Sequence, residues 1–255
     1  RGIAVTIATG RLPASTLPHA RTLELDAALV CADGAVTVTA RDGTITRTRP
    51  LPETACERVA ALGKRSGLSS FFLTPDALLA HTRDSQGDRL ASLRGFTENV
   101  RPFAGDLKAV VATALHAARP IIAGFLVGAP DHVHQAADVI RGEEQEKPVA
   151  EVEPEAFPLG EGGLWAVRVR CASSTKASGL AGICAEQGIA AAEVAVVGDW
   201  YNDMSMLSWA GLSFVMGGAP VAVARLARTQ LTAKAGAGGG IAETVSWLLH
   251  ANSQL

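Results

Sequence analysis

Two carboxylates, Asp199 and Asp203, stand four residues apart in the segment GDWYND, with Asn202 beside the second. The first ends a short apolar run (VAVV, 194–197) and the second begins a helical pattern. Ligand sites in open α/β sheets lie at the carboxyl ends of strands, and this pair falls there. Magnesium, a hard cation, favours a few carboxylates, retained waters and a substrate phosphate. The segment therefore reads as a magnesium site that handles a phosphate ester. The plainer alternative is that Asn202 or Asp203 caps the following helix.

Two distant positions favour the chemical reading. Thr9 stands at the exit of an apolar run at residues 3–8, in the tetrapeptide ATGR. Its hydroxyl and the N–H groups of Gly10 and Arg11 suit phosphate oxygens, although a Ser or Thr at a strand exit commonly serves a turn. Lys176 follows the polar turn Ala172-Ser173-Ser174-Thr175 and opens a helical stretch. A cation at a helix start gets no help from the helix dipole, so a role in chemistry is the better account of it.

The elements that must position these residues follow from the hydrophobic pattern. Strand runs at 194–197, 212–216 and 231–234 each end in glycine-bearing or acidic turns, and helical stretches follow at 203–209, 220–227 and 241–250. Short buried strands alternating with helices imply a parallel sheet with right-handed crossovers. The N-terminal end has a similar grammar: a strand at 3–8, a weak helix at 13–22, a strand at 28–31 and a hairpin over 36–46 around Asp42-Gly43.

The middle differs. Helices are expected at 54–64, 107–118 and 131–144, and strands at 120–127 and 164–169. The proline- and glycine-bearing stretch EKPVAEVEPEAFPLGEGG, 146–163, reads as a loop. The fold class is therefore α/β, a Rossmann-like parallel core with an inserted α+β cap. Residues 1–50 and 171–255 form the core, and 51–170 form the cap.

The bulk properties exclude some classes. Hydrophobic residues make up 48% and charged residues 19% of the 255, with a net charge of −2. That is a globular composition, without the basic balance of a nucleic-acid binder. No apolar run approaches the roughly 20 residues of a membrane span. The cysteines Cys31, Cys56, Cys171 and Cys184 are scattered and suggest neither a zinc knuckle nor a disulfide framework, so a cytoplasmic location is the expectation. His132 and His134 fall two apart at a helix start and do not share a face, so they are read as exposed helix residues and not as a metal pair. The stretch Gly236-Ala237-Gly238-Gly239-Gly240 lacks the Lys-Ser/Thr of a P-loop and reads as a turn.

The ordered set of motifs resembles the haloacid dehalogenase (HAD) superfamily, and within it the Cof-type sugar-phosphate phosphatases. Thr9-Gly10-Arg11 after a strand, then Lys176, then GDWYND with a following Met and Leu carry the resemblance. The segment AGLSFVMGGAP, 210–220, resembles the family's next strand, with Gly218 in place of an Asn. Asp33 likewise stands where the family often has Asn, in Cys31-Ala32-Asp33-Gly34-Ala35. The resemblance implies that Thr9, with Gly10 and Arg11, binds the transferring phosphoryl group. Lys176 neutralises that group and orients the nucleophile, Asp199 ligates Mg2+ with Asp203 in support, and Asn202 contacts the phosphate or the Asp199 network. It further implies a small phosphorylated metabolite as substrate. A sugar phosphate ranks first and pyridoxal phosphate or a flavin nucleotide next, with the cap selecting among them. The oligomeric state is not readable from the sequence.

The family attacks phosphorus with the first Asp of an Asp-x-Asp motif on a strand that precedes the threonine motif. No such strand precedes Thr9, which places the nucleophile outside these 255 residues. Cys31-Ala32-Asp33-Gly34 imitates the motif, but it follows Thr9 and fits the Asn-Gly-Ala position better. The chain by itself is thus expected to bind magnesium and phosphate without turning over. Two rivals remain: a phosphomutase on the same fold, and a catalytically inactive phosphate-ligand binder.

Overall fold

The chain of this computed structural model divides after Ser174 into two units, Arg1–Ser174 and Thr175–Leu255. The residues described are 2–81, 87–94, 97–105, 107–116, 119–142, 151–160 and 162–251.

The first unit opens with α1 (Pro13–Thr22) and an antiparallel sheet of β1 (Leu29–Cys31), β2 (Val36–Val38) and β3 (Ile45–Thr48). The expected hairpin is present. Its turn is tied by Asp42, which accepts hydrogen bonds from the Thr39 hydroxyl and, at 2.9 Å, from the N–H of Thr44. The chain continues through α2 (Glu53–Ser66), β4 (Ser69–Leu73), β5 (Leu78–His81), α3 (Asp88–Ala91), β6 (Val100–Phe103) and α4 (Leu107–His116). β7 (Ala123–Gly128), α5 (Pro130–Arg141), β8 (Val152–Leu159) and β9 (Leu164–Cys171) complete the unit. The strands from β4 to β9 form a six-stranded sheet in the order β6-β5-β4-β7-β9-β8, in which the β5–β6 pair is parallel and the others antiparallel.

β7 is buried at all of its positions, as a central strand with both faces covered must be. Alternation sorts the side chains. Phe71, Leu73, Phe125, Val127 and Ala166 join one core with Leu12, Leu29 and Val36, whereas Phe72, Leu126, Val167 and Val169 join a second core with residues of α2 and α5. The buried stripe of α5, Val133, Ala136, Ala137 and Ile140, has the three-and-four spacing of an amphipathic helix and packs against β8 and β9. Pro130 in its first turn and left-handed Gly142 (φ 85°) at its end bound this helix.

Two expectations fail. Residues 3–8 form no strand; Ala8 makes a single parallel bridge to Val30. Ile3 and Val5 are 66% and 58% exposed, so the β-branched pattern there has little to pack against. The stretch read as a loop contains β8. Prolines stop an interior strand because they cannot donate to the ladder, but β8 is an edge strand. Pro154 and Pro158 share one parity on it, so both nitrogens face the side that no strand occupies. Positions 117–118, 143–144, 146–150 and 161 of the expected helices and loop lie outside the described residues.

The second unit has the anticipated grammar. α6 (Lys176–Gln187) leads to β10 (Ala195–Gly198), α7 (Met204–Trp209), β11 (Leu212–Gly217), α8 (Val221–Ala224), β12 (Thr229–Lys234) and α9 (Gly240–Ala251). The three strands make a parallel sheet in the order β10-β11-β12. Among the described residues no helix is long and apolar enough to cross a membrane.

Candidate active site

The second unit brings three of the sequence-derived residues, Lys176, Asp199 and Asp203, into one constellation, and Asn202 lies in the short helical turn Tyr201–Asp203 beside them. Thr175 caps α6: its hydroxyl accepts from the N–H of Ser178, and the Ser178 hydroxyl accepts from the N–H of Thr175, each at 3.1 Å. This reciprocal box fixes the first turn of the helix, and with it the direction of Lys176. Lys176 is buried, and its Nζ lies 2.5 Å from Oδ1 of Asp203. The ion pair offsets the unfavourable dipole position noted in the sequence.

Asp203 is only 3% exposed, and both of its oxygens are engaged. Oδ2 accepts from the N–H of Asp199 at 2.9 Å and of Trp200 at 3.1 Å. It thereby closes the turn that carries the chain out of β10. Gly198 makes this possible, because a Cβ there would lie 2.6 Å from Cβ of Asp203. Asp203 is both the counter-ion of Lys176 and the clamp on the Asp199 backbone.

Asp199 is half-buried, and its carboxylate accepts no hydrogen bond among the described residues. Burial pushes its pKa above the ordinary carboxylate value, the charge of Asp203 adds to this, and Lys176 opposes it. A cation beside Asp199 would relieve both unfavourable effects. Among the described residues no group of three or more His, Cys, Asp or Glu is placed to hold a metal. The donor set on offer, one available carboxylate supported by a second, fits magnesium, which keeps waters and shares substrate phosphate, better than a closed zinc cage. Trp200 and Tyr201 are 57% and 48% exposed and meet edge to face with centroids 5.4 Å apart.

Thr9, Gly10 and Arg11 belong to the first unit and are organised around β1 and the turn after it. Thr9 donates its N–H to the carbonyl of Val30 at 2.9 Å, and its hydroxyl accepts from the N–H of Arg11 at 3.2 Å. The turn Ala32–Gly34 is held against this segment by two further bonds, Asp33 N–H to the Thr9 carbonyl (3.0 Å) and Ala32 N–H to the Arg11 carbonyl (2.9 Å). Ala32 and Asp33 both have left-handed φ, 48° and 51°. Such conformations cost L-residues roughly 1–2 kcal/mol apiece and persist where tertiary contacts impose them.

One such contact escaped the sequence reading. Asp33 is buried, and its Oδ2 accepts from Arg168 of β9 at 2.6 Å; the same guanidinium bonds Glu155 of β8. Burial opposes the charge on Arg168, but Asp33 and Glu155 outweigh it and hold its pKa above the usual value. The signal available was an Arg at a strand-interior position, on the same face as Ala166, within the otherwise apolar run LWAVRVRC.

A family model of haloacid dehalogenase-like hydrolases matches residues 1–245. The chain belongs to that family. Its HAD fold is repeated in solved structures. A haloacid dehalogenase-like hydrolase from Bacteroides thetaiotaomicron superposes with a TM-score of 0.76 at 18% identity, over 97% of this chain and 87% of that one. A hypothetical protein from Geobacillus kaustophilus HTA426 gives 0.70 at 22% identity, over 97% and 86%. A protein described as a HAD subclass IIB sugar phosphatase gives 0.66 at 18% identity, over 90% and 80%. At these identities the likeness to the solved structures speaks for the fold alone. No curated protein sequence matches the chain.

Proposed function

We propose that this HAD-family chain belongs to a magnesium-dependent phosphomonoester hydrolase of Cof type, acting on a small phosphorylated metabolite, foremost a sugar phosphate. The observation that carries the reading is the Lys176–Asp203–Asp199 constellation: a buried lysine anchored by one carboxylate, which in turn clamps the backbone of a second. Membership of the family and the likeness to a sugar phosphatase support it.

The motif match and the local geometry support a set of roles. Phosphoryl transfer is mostly positioning and charge neutralisation. Thr9, with the backbone of Gly10 and Arg11, takes the oxygens of the phosphoryl group. Lys176 supplies a fixed cation, already oriented by Asp203. Asp199 holds Mg2+, with Asp203 fixing the Asp199 backbone, and Asn202 contacts the phosphate or the Asp199 network. Bound magnesium would neutralise developing negative charge on the phosphate oxygens. A carboxylate attacks phosphorus, the ester P–O bond breaks, and the alcohol leaves with a proton; water then cleaves the aspartyl-phosphate to release inorganic phosphate. No Asp-x-Asp occurs in the 255 residues, so the attacking carboxylate is assigned to none of them. We read 1–50 with 171–255 as the core and 51–170 as the cap that chooses the substrate. The four free cysteines support a reducing cytoplasm as its location.

The second reading is a phosphate-ligand binder without turnover. Calorimetric titration of the chain with inorganic phosphate, with and without Mg2+, tests what the two share. Saturable binding that requires Mg2+ and is lost in D199N supports the site, and no binding in either condition refutes it. A screen of phosphate esters on the full-length protein then separates the readings. Release of inorganic phosphate marks the hydrolase, an isomerised sugar phosphate marks a mutase, and binding without product marks the binder.

A further inference from the structure

We infer that Arg168 is a positioning residue of the Thr9-Gly10-Arg11 turn, acting by neutralising the Asp33 carboxylate that lies against Gly10. The inference rests on the reading of that turn as a phosphate-binding element. Its basis is a chain of contacts within the first unit. A Cβ built on Gly10 would lie 3.1 and 3.2 Å from the two carboxylate oxygens of Asp33, so an anion is lodged directly beside the segment proposed to receive another anion. Left uncompensated, that carboxylate would repel a phosphate.

Arg168 supplies the compensation from β9. Its side chain is 11% exposed and that of Asp33 4%, so little water screens their attraction. The guanidinium reaches Asp33 with Nη1 and Glu155 with Nη2, which leaves it one choice of orientation. The same pair holds Asp33 in its left-handed conformation, from which its N–H bonds the Thr9 carbonyl. Gly10, Ala32, Arg168 and Arg170 line one small pocket together with apolar side chains that include Leu73 and Phe125. The Nε atoms of both arginines are buried and accepted by no oxygen among the described residues. Both guanidiniums are ion-paired, Arg168 with Asp33 and Glu155 and Arg170 with Glu153.

Asp33 and Arg168 act as a unit: the carboxylate lies against the turn, and the arginine offsets its charge. Removing the arginine alone exposes the phosphate to Asp33, and removing both charges restores the net charge of the wild-type cluster, in which Glu155 remains.

The test measures the Kd of inorganic phosphate, in Mg2+, for the wild-type chain and for R168Q, R168K and D33N/R168Q, with a thermal melt of each. R168Q is expected to weaken phosphate binding about tenfold or more. D33N/R168Q is expected to return to within about threefold of wild type, and R168K, which keeps the charge, to stay near it. A purely structural Arg168 would lower the melting temperature in R168Q and leave the Kd of the folded protein unchanged. That result, or a loss in R168Q that D33N does not relieve, overturns the inference. Should R168Q fail to fold, the double variant decides by itself, since weak phosphate binding by folded D33N/R168Q contradicts the charge argument. A wild-type chain that binds no phosphate overturns the reading on which this rests; wild-type binding with an unchanged R168Q overturns this inference alone.

Discussion

Asp203 meets Lys176 at 2.5 Å with one oxygen and holds the backbone N–H of Asp199 with the other. A single buried side chain thus fixes both the cation and the carboxylate of the candidate site. Replacing either partner leaves the other charge buried without its counter-ion. K176Q and D203A are each expected to lose about 3–5 kcal/mol of stability. Urea denaturation of the three proteins checks this, and a loss below about 1 kcal/mol in both would show that water reaches the pair.

Gly198 is expected to tolerate no side chain. In G198A the new methyl would meet Cβ of Asp203 at 2.6 Å and push the clamp off the Asp199 and Trp200 amides. The expected cost is about 1–3 kcal/mol of stability, accompanied by weaker Mg2+ binding. Magnesium titration of the folded variant distinguishes this from simple destabilisation, because intact affinity would mean that the turn does not depend on the clamp.

Asp199 should separate function from stability. Burial and the neighbouring charge of Asp203 raise its pKa, so its ionised form is held at a cost to the fold. D199N is therefore expected to melt at or above the wild-type temperature while losing Mg2+ affinity at least about tenfold. A destabilised D199N with intact magnesium binding would assign the metal elsewhere.

Cys31, the last residue of β1, sits beside the Ala32–Gly34 turn, and burial pushes its thiol up from 9.0 to about 11, with a hydrogen bond involving Thr16 opposing the shift. A raised folded pKa means that the stability tied to the protonated thiol is complete below pH 9 and is lost as pH rises through about 11. The stability difference between wild type and C31A should thus narrow between pH 9 and pH 11. Burial likewise lifts Cys56 to about 12. Both should label more slowly with a thiol reagent at pH 8 than half-exposed Cys171.

Much of the second unit was legible in advance because its signals are local. An apolar run ending in Gly198-Asp199, a helix that follows the polar turn Ala172–Thr175 and regular strand–helix spacing each depend on neighbours in sequence. The first unit was less legible. Residues 3–8 carry a strand composition but pair only at Ala8, since strand formation needs a partner ladder that composition does not supply. Pro154 and Pro158 mark a loop by local rule and an edge strand in fact, since only the sheet order shows that one side of β8 needs no donors.

The sequence by itself determined the α/β class, the family motifs and the identities of Thr9, Lys176, Asp199, Asn202 and Asp203 as candidates. Tertiary structure alone decided what those residues do to one another. Asp203 proved to be a clamp with both oxygens engaged, and Asp33 proved to be a carboxylate neutralised by a residue 135 positions away. Spacing along a chain reports which side chains share a helix face or a strand end. Charge compensation acts through space, and a buried carboxylate is matched with its cation only when the sheet that carries Arg168 has formed.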